Sequence, residues 1–261
     1  MDLQIHDSHK ADIFTGLFQH IKLFTEHINM TFNTDKMFIQ AMDSSHVSVF
    51  EIHIPKSWFH VYNLHDDCDL VVGIHSGNLF KVLRARDKNQ NLCIQLLEQG
   101  DDTLKIAMTC ENTEVFDRHF QIPLMEIDSD VMHIPEMEYQ AEFAIPSNTF
   151  ATLIDQLKMF GDTLQIECSE EKIRLCSESQ ETGKMSVDIP IDDVLSFAIE
   201  EGQELNLSFS LSYLHNICMY SKLAKNVEVC MSANYPIRLV YSLSDDDESK
   251  FVFYLAPKID D

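Results

Sequence analysis

Basic side chains are scarce in this 261-residue chain: 19 Lys and Arg stand against 43 Asp and Glu, a formal charge of -24. An ordinary groove-type nucleic-acid binder neutralises phosphates with a net basic surface, so composition taken alone argues against such a partner. Glycine and proline are also sparse, seven of each. No Pro/Gly/Ser-rich linker interrupts the sequence, which leaves one long domain or two closely joined ones. No uninterrupted apolar stretch approaches the roughly 20 residues a membrane span needs, and no secretory signal precedes the first apolar residues. The expectation is a soluble, intracellular protein with no membrane partner. The seven cysteines, at positions 68, 93, 110, 168, 176, 218 and 230, are odd in number and never spaced CxxC. That pattern fits buried thiols in a reducing compartment rather than disulfides or zinc, so neither metal nor cofactor is expected. The sequons at Asn29 and Asn206 are then chance matches.

What is abundant is period-two alternation, the mark of half-buried strands. It runs through Met1/Leu3/Ile5, Ile28/Met30/Phe32, Leu104/Ile106/Met108/Cys110, Leu164/Ile166/Cys168, Met185/Val187/Ile189, Leu205/Leu207/Phe209, Val227/Val229/Met231 and Phe251/Phe253/Leu255. Only four short helices are expected. Residues 11–24 put Ile13, Phe14, Leu17, Phe18 and Ile21 on one face. Residues 147–159 bury Phe150, Leu153, Ile154 and Leu157 behind a Pro146-Ser147 start signal. Two more begin near Ser76 and Ser212.

The chain also repeats itself. At a shift of 136 residues, Phe14, Leu17, Phe18 and Ile21 align on Phe150, Leu153, Ile154 and Leu157, and Ile28 and Met30 on Leu164 and Ile166. A shift of 135 carries Leu70, Val72, Leu79 and Val82 onto Leu205, Leu207, Leu214 and Ile217. Two halves with one order of strands and helices imply two domains of one fold.

Three clusters have the residue types of active or metal sites. Asp43, Ser44, Ser45 and His46 suggest a hydrolase. Along a strand, however, Asp43 and Ser45 face one side and Ser44 and His46 the other, so Asp43 is badly placed to orient His46. No glycine-rich nucleophile elbow surrounds either serine. After Val47 and Val49 the alternation changes phase to Phe50, Ile52 and Ile54, which predicts a bulge in a strand. HDDCD at residues 65–69 reads as a turn entering a strand. SDDDES at 244–249 lacks the spacing of a calcium loop and reads as a solvated hairpin turn.

MDSSHVS (residues 42–48), IPEMEYQAEFAIPSNTFATLIDQL (134–157) and FYLAPKIDD (253–261) carry a resemblance. In that order, and with the repeat and the four helices, the chain resembles the proliferating cell nuclear antigen family, the DNA sliding clamps of eukaryotes. The resemblance implies an α+β fold of two similar β-rich domains of the DNA-clamp (processivity fold) type, each with two short helices. The domains would be residues 1–123 and 139–261, joined by a connector at 124–138. Such chains would assemble head to tail into a closed homotrimeric ring. Helices would line the hole, and edge strands around residues 116–122 and 183–189 would meet between subunits.

The function implied is that of a non-enzymatic processivity factor. It would encircle double-stranded DNA without reading its sequence and tether DNA polymerase and other replication and repair proteins, after placement by a clamp loader. Its location would be the nucleus or, for a viral member, the host nucleus or a cytoplasmic replication site. A ring would also resolve the charge contradiction, because a topologically linked clamp needs little affinity and can set its few cations on the inner surface. Nine lie in or beside the helices: Lys10, Lys22, Lys81, Arg84, Arg86, Lys88, Lys158, Lys222 and Lys225. The sequence departs from the family where Thr15, Gly16 and Asp155 replace usual helix cations, and where Glu170, with Lys172 nearby, occupies the position of the ubiquitin-bearing lysine.

Carried over by position, a pocket for a short partner motif would comprise His46, Val47 and Val49, then Met132, Ile134 and Pro135. It would continue through Tyr235 and Pro236 and end with Tyr254, Leu255, Ala256, Pro257 and Ile259. Other readings stay open: a subunit of a heterotrimeric checkpoint clamp, which the FYLAPKIDD tail argues against; an acidic protein-binding module without a DNA role; and a hydrolase built on Asp43, Ser45 and His46.

Overall fold

A computed structural model describes residues 1–64, 68–97, 100–110, 115–128, 131–135, 137–244 and 248–258. Contacts divide the chain into two units. The first holds Met1–Ser44, Glu51–Met132 and Asp246–Ser249; the second holds Ser45–Phe50, His133–Asp245 and Lys250–Asp261.

The first stretch of chain runs β1 (Asp2–Ile5), α1 (Ser8–Gln19), β2 (His27–Phe32), β3 (Lys36–Met42), β4 (Ser48–Pro55) and β5 (Val61–Asn63). It continues with β6 (Leu70–His75), α2 (Ser76–Leu83), β7 (Asn91–Gln95), β8 (Thr103–Thr109) and β9 (Arg118–Pro123). One sheet has the order β5-β1-β7-β8-β9, and β4, β3, β2 and β6 lie side by side in a second. Helix α1 packs on α2, β1 and β7, and α2 on β6 and β9. Asp7 caps α1 by accepting the Lys10 amide at 2.9 Å, which starts the helix three residues earlier than its apolar face indicates. The helix ends at Gln19 and tightens into a 3₁₀ turn at Ile21–Leu23. Phe14, Leu17 and Phe18 are at most 1% exposed, each burial worth about 1.5–3 kcal/mol.

The second half repeats the first. β10 (Ala141–Pro146), α3 (Ser147–Leu157), β11 (Thr163–Cys168), β12 (Lys172–Ser179), β13 (Gly183–Pro190) and β14 (Ser196–Ile199) lead to β15 (Leu205–Ser210). Then come α4 (Leu211–Cys218), β16 (Asn226–Met231), β17 (Ile237–Ser242) and β18 (Lys250–Leu255). The bounds of β11 equal those of β2 plus 136 at the start and end, and those of β13, β15 and α4 equal those of β4, β6 and α2 plus 135. Strand orders β14-β10-β16-β17-β18 and β13-β12-β11-β15 reproduce the two orders of the first unit. Pro146 occupies the cap position of α3 without a side-chain bond, so Ser147 is its first helical residue rather than its cap.

The start of β4 belongs to the second unit, where it lies beside β18. The Ala256 amide donates to Val47 O at 3.0 Å, and the Phe50 ring sits 5.7 Å from Phe251 and 6.2 Å from Phe253. The expected bulge is instead the hairpin turn between β3 and β4: residues 44–47 are turn and bend, and His46 has φ 57. The phase change in the alternation marks where the turn re-enters a strand. Burial of cysteine is partial, since Cys68 is exposed while Cys168, Cys176, Cys218 and Cys230 are buried. Desolvation pushes the Cys218 and Cys230 thiols up to about 12, so both stay protonated. Among the described residues no helix is long and apolar enough to cross a membrane.

After β9 the chain turns onto the edge of β6, where the Met125 amide donates to Gly73 O at 3.0 Å and Asn29 Nδ2 to Ile127 O at 3.0 Å. A Cβ on Gly73 would lie 2.2 Å from Met125 O. Only glycine admits so close a crossing. Gly73→Ala is therefore expected to lower stability by about 2–3 kcal/mol, measured by chemical denaturation, whereas Gly100→Ala, a position with open space around it and positive φ, tests backbone strain alone.

Candidate DNA-facing helices and docking surface

The nine helix-associated cations do not form one class. Lys22, Lys81, Arg84, Lys88, Lys158, Lys222 and Lys225 are exposed, which leaves their charge at the surface. Lys10 is tied back: its ammonium donates to Ser57 O at 3.3 Å and Trp58 O at 3.4 Å and lies 5.3 Å from the Trp58 ring centroid. Arg86 corrects the sequence reading outright. Its side chain is 3% exposed and pairs with Asp12. The guanidinium also donates to Lys88 O at 3.1 Å, Gln90 O at 3.0 Å and Ser8 O at 3.3 Å. It is a structural clasp between α1 and the chain after α2, which takes its charge off the helix surface. In the second unit Asp155 of α3 meets His215 Nδ1 of α4 at 2.7 Å, a hydrogen-bonded pair that ties the two helices together.

The docking residues fall mainly in the second unit. Val47 and Ala256 are joined by the amide bond already described, and the Ile237–Leu255 register sets Pro236 beside Ala256. Val47, Val49, Ile134, Tyr254, Ala256 and Pro257 are half-buried, while His46, Pro135, Tyr235 and Pro236 are exposed. Leu255 is a second correction: at 0% exposure its side chain belongs to the core of β18 and underlies the surface rather than lining it. Ile259 lies outside the described residues, as do parts of the HDDCD and SDDDES segments.

Met132 belongs to the first unit, where Gln40 grips it in both directions. The Met132 amide donates to Gln40 Oε1 at 2.6 Å, and Gln40 Nε2 donates to Met132 O at 2.9 Å. Gln40 also donates to Glu51 at 2.9 Å, and Glu51 meets His53 Nε2 at 3.1 Å. Burial alone would raise the Glu51 carboxyl. The bonds from His53 and Gln40 and the charge of Lys36 outweigh it and hold the group below its ordinary value. Sequence reasoning missed this clasp, because nothing local to a glutamine on an alternating strand announces a partner 92 residues away. It also missed Arg238, which lies 6.0 Å from the Tyr139 ring centroid and beside Tyr254 in the β17–β18 register; a lone cation in the apolar run IRLVYS was the available signal.

Sequence comparison covers the same two halves. The family model described as "Proliferating cell nuclear antigen, N-terminal domain" matches residues 6–133, and "Proliferating cell nuclear antigen, C-terminal domain" matches residues 133–258. The chain belongs to the proliferating cell nuclear antigen family. The proliferating cell nuclear antigen of Chaetomium thermophilum is 30% identical over 259 residues, covering 97% of this chain and 96% of that one. As a member of the family, the protein functions as a DNA sliding clamp, a processivity factor of DNA replication.

Two further features bear on sites considered from the sequence. Glu170 is not a free surface anion but accepts the Gly202 amide at 2.8 Å, fixing a turn in which Gly202 has φ +72. Glu26, His27 and His75 bring ligand atoms within 4.8 Å of one another. His75 Nδ1, however, accepts the Gly77 amide at 3.1 Å, which leaves the proton of the neutral ring on Nε2 and opposes metal ligation.

Arg86→Ala is expected to cost about 3 kcal/mol, because Asp12 and several carbonyls lose their donor; Lys22→Ala should leave the melting temperature within about 2 °C, since surface substitutions rarely exceed 0.5 kcal/mol. The depressed Glu51 carboxyl stabilises the folded state above its ordinary value of 4.5, a contribution lost as pH falls through the folded value. Stability curves of Glu51→Gln and the parent should therefore differ most near neutral pH and converge in acid.

Proposed function

We propose that three copies of the chain close head to tail into a ring around duplex DNA, which tethers polymerase and other partners without catalysing any reaction. The observation that carries this reading is the pair of open sheet edges. Strands β9 and β13 each end a sheet, and among the described residues neither has a partner on its outer side. By the internal repeat, β9 is the counterpart of β18 and β13 of β4. β18 does have a partner, the start of β4. An edge that is paired once within the chain and left open at its counterpart satisfies its backbone groups by pairing with another copy. The interaction is heterologous, and three such steps close.

In this reading residues 124–138 connect functional domains at 1–123 and 139–261, and the helices face the DNA. The seven exposed helix cations give weak, sequence-independent attraction, and topological linkage supplies retention. A clamp loader opens the ring. Partner proteins dock a short motif on Val47, Ile134, Tyr235, Tyr254 and the 256–257 tail, and act where DNA is replicated, in the nucleus of a cellular host. Tethering keeps a polymerase at high local concentration near its template.

Loading onto a nicked circular plasmid tests the ring: retention at moderate salt and release on linearisation are expected, while equal loss from both forms would sink the topological claim. For the docking surface, Ile134→Ala should weaken binding of a partner-motif peptide at least tenfold by calorimetry with unchanged melting temperature.

A further inference from the structure

We infer that Phe116 is the apolar peg that fastens one copy of the chain to the next, seated against Pro190 and Ile191 of that copy. The inference rests on the ring reading above and adds the residues that make the junction specific. Phe116 is 84% exposed, just ahead of β9. Its backbone is nonetheless fixed. Gln90, itself 2% exposed, donates from Nε2 to Phe116 O at 2.9 Å and to Met108 O at 3.2 Å, and its Oε1 accepts the Asp87 amide at 3.0 Å. Arg118 ties the same region to Ala85 O and, at 2.6 Å, to Asp87. A large ring held out on rigid backbone is costly to leave in water and loses little freedom when covered.

The paired edge inside the chain indicates what covers it. Moving from Ala256 back to Phe251 along β18 corresponds to moving from Val47 forward to Phe50, so that pairing is antiparallel. The same pairing between β9 and the β13 of a second copy brings the residues before β9 to the residues after β13. Phe116 then arrives at Pro190 and Ile191, which are exposed and half-buried respectively.

The counterpart positions carry different chemistry. At the shift of 132 that relates β9 to β18, Phe116 corresponds to Glu248; at the shift of 135 that relates β4 to β13, Ile191 corresponds to Lys56. The counterpart positions therefore carry opposite charges where Phe116 and Ile191 are apolar. A mismatched pairing would set Phe116 against Lys56, which also meets Asp35 at 3.7 Å, or Ile191 against Glu248, and cover a charge with an apolar group. The difference directs β9 to the β13 of another copy.

Sedimentation of the full chain and its variants tests this. Phe116→Asp and Ile191→Lys should each raise the dissociation concentration at least tenfold, and the double variant, with the charge pair restored, should recover most of the loss. In Phe116→Trp, the added indole should shift its emission to the blue on assembly, against a constant background from Trp58, which is 3% exposed. Unaltered assembly of Phe116→Asp, or an added indole that stays solvent-exposed in the assembled state, would overturn the inference while leaving the ring intact. A parent chain that is monomeric at every concentration would overturn the ring reading and the peg with it.

Discussion

Backbone hydrogen bonding at two sheet edges is the constraint on which the rest depends. A strand edge exposes a row of amide and carbonyl groups, and proteins cover, charge or pair such edges. Here the first copy of the repeat leaves β9 open and the second leaves β13 open. The outer edge of β6 is taken by the chain after β9, through Met125 and Gly73, and that of β15 by the tail, through Lys258 and Ser208 at 2.7 Å. Among the described residues β5 and β14 also end their sheets, but β9 and β13 are the two edges whose counterparts, β18 and β4, pair with each other inside the chain, and that is what head-to-tail assembly requires.

The acidic composition then stops being a contradiction. A protein with a formal charge of -24 repels DNA from most directions, and non-specific affinity would be a poor basis for staying on it. In the proposed ring, encirclement removes the need for affinity. The structure goes further in this direction than the family resemblance implies, because Arg86 is buried in a clasp with Asp12 and Asp155 pairs with His215. The helix surfaces keep a modest set of exposed cations, suited to a clamp that slides.

Much of the fold was legible in the sequence because strand and helix periods are local. The four helices and the long alternating strands lie where side-chain spacing sets them, and the repeat predicted a duplicated order that the strand pairings reproduce. Chain reversals and long-range clasps were not legible. The Asp-Ser-Ser-His run reads as a strand by alternation, but His46 adopts φ 57 and makes it a turn; histidine only permits such a value, and does not announce it. Arg86 looks like any helix-end cation until the carbonyls of Ser8, Lys88 and Gln90 converge on it. Leu255 shares a motif with Tyr254 and Ala256, yet alternation along β18 turns it into the core. Charge type and motif membership locate a residue in the sequence, but only packing decides whether its side chain reaches the surface.

The most direct test of the account is amide hydrogen exchange in β9 (Arg118–Pro123) and β13 (Gly183–Pro190), measured at high protein concentration and again after dilution. If the two edges pair between copies, the outward amides of both strands are protected together at high concentration and lose protection together on dilution, while β8 and β12 stay protected. Fast exchange of those amides at every concentration, in a chain that is otherwise fully protected, would contradict the account.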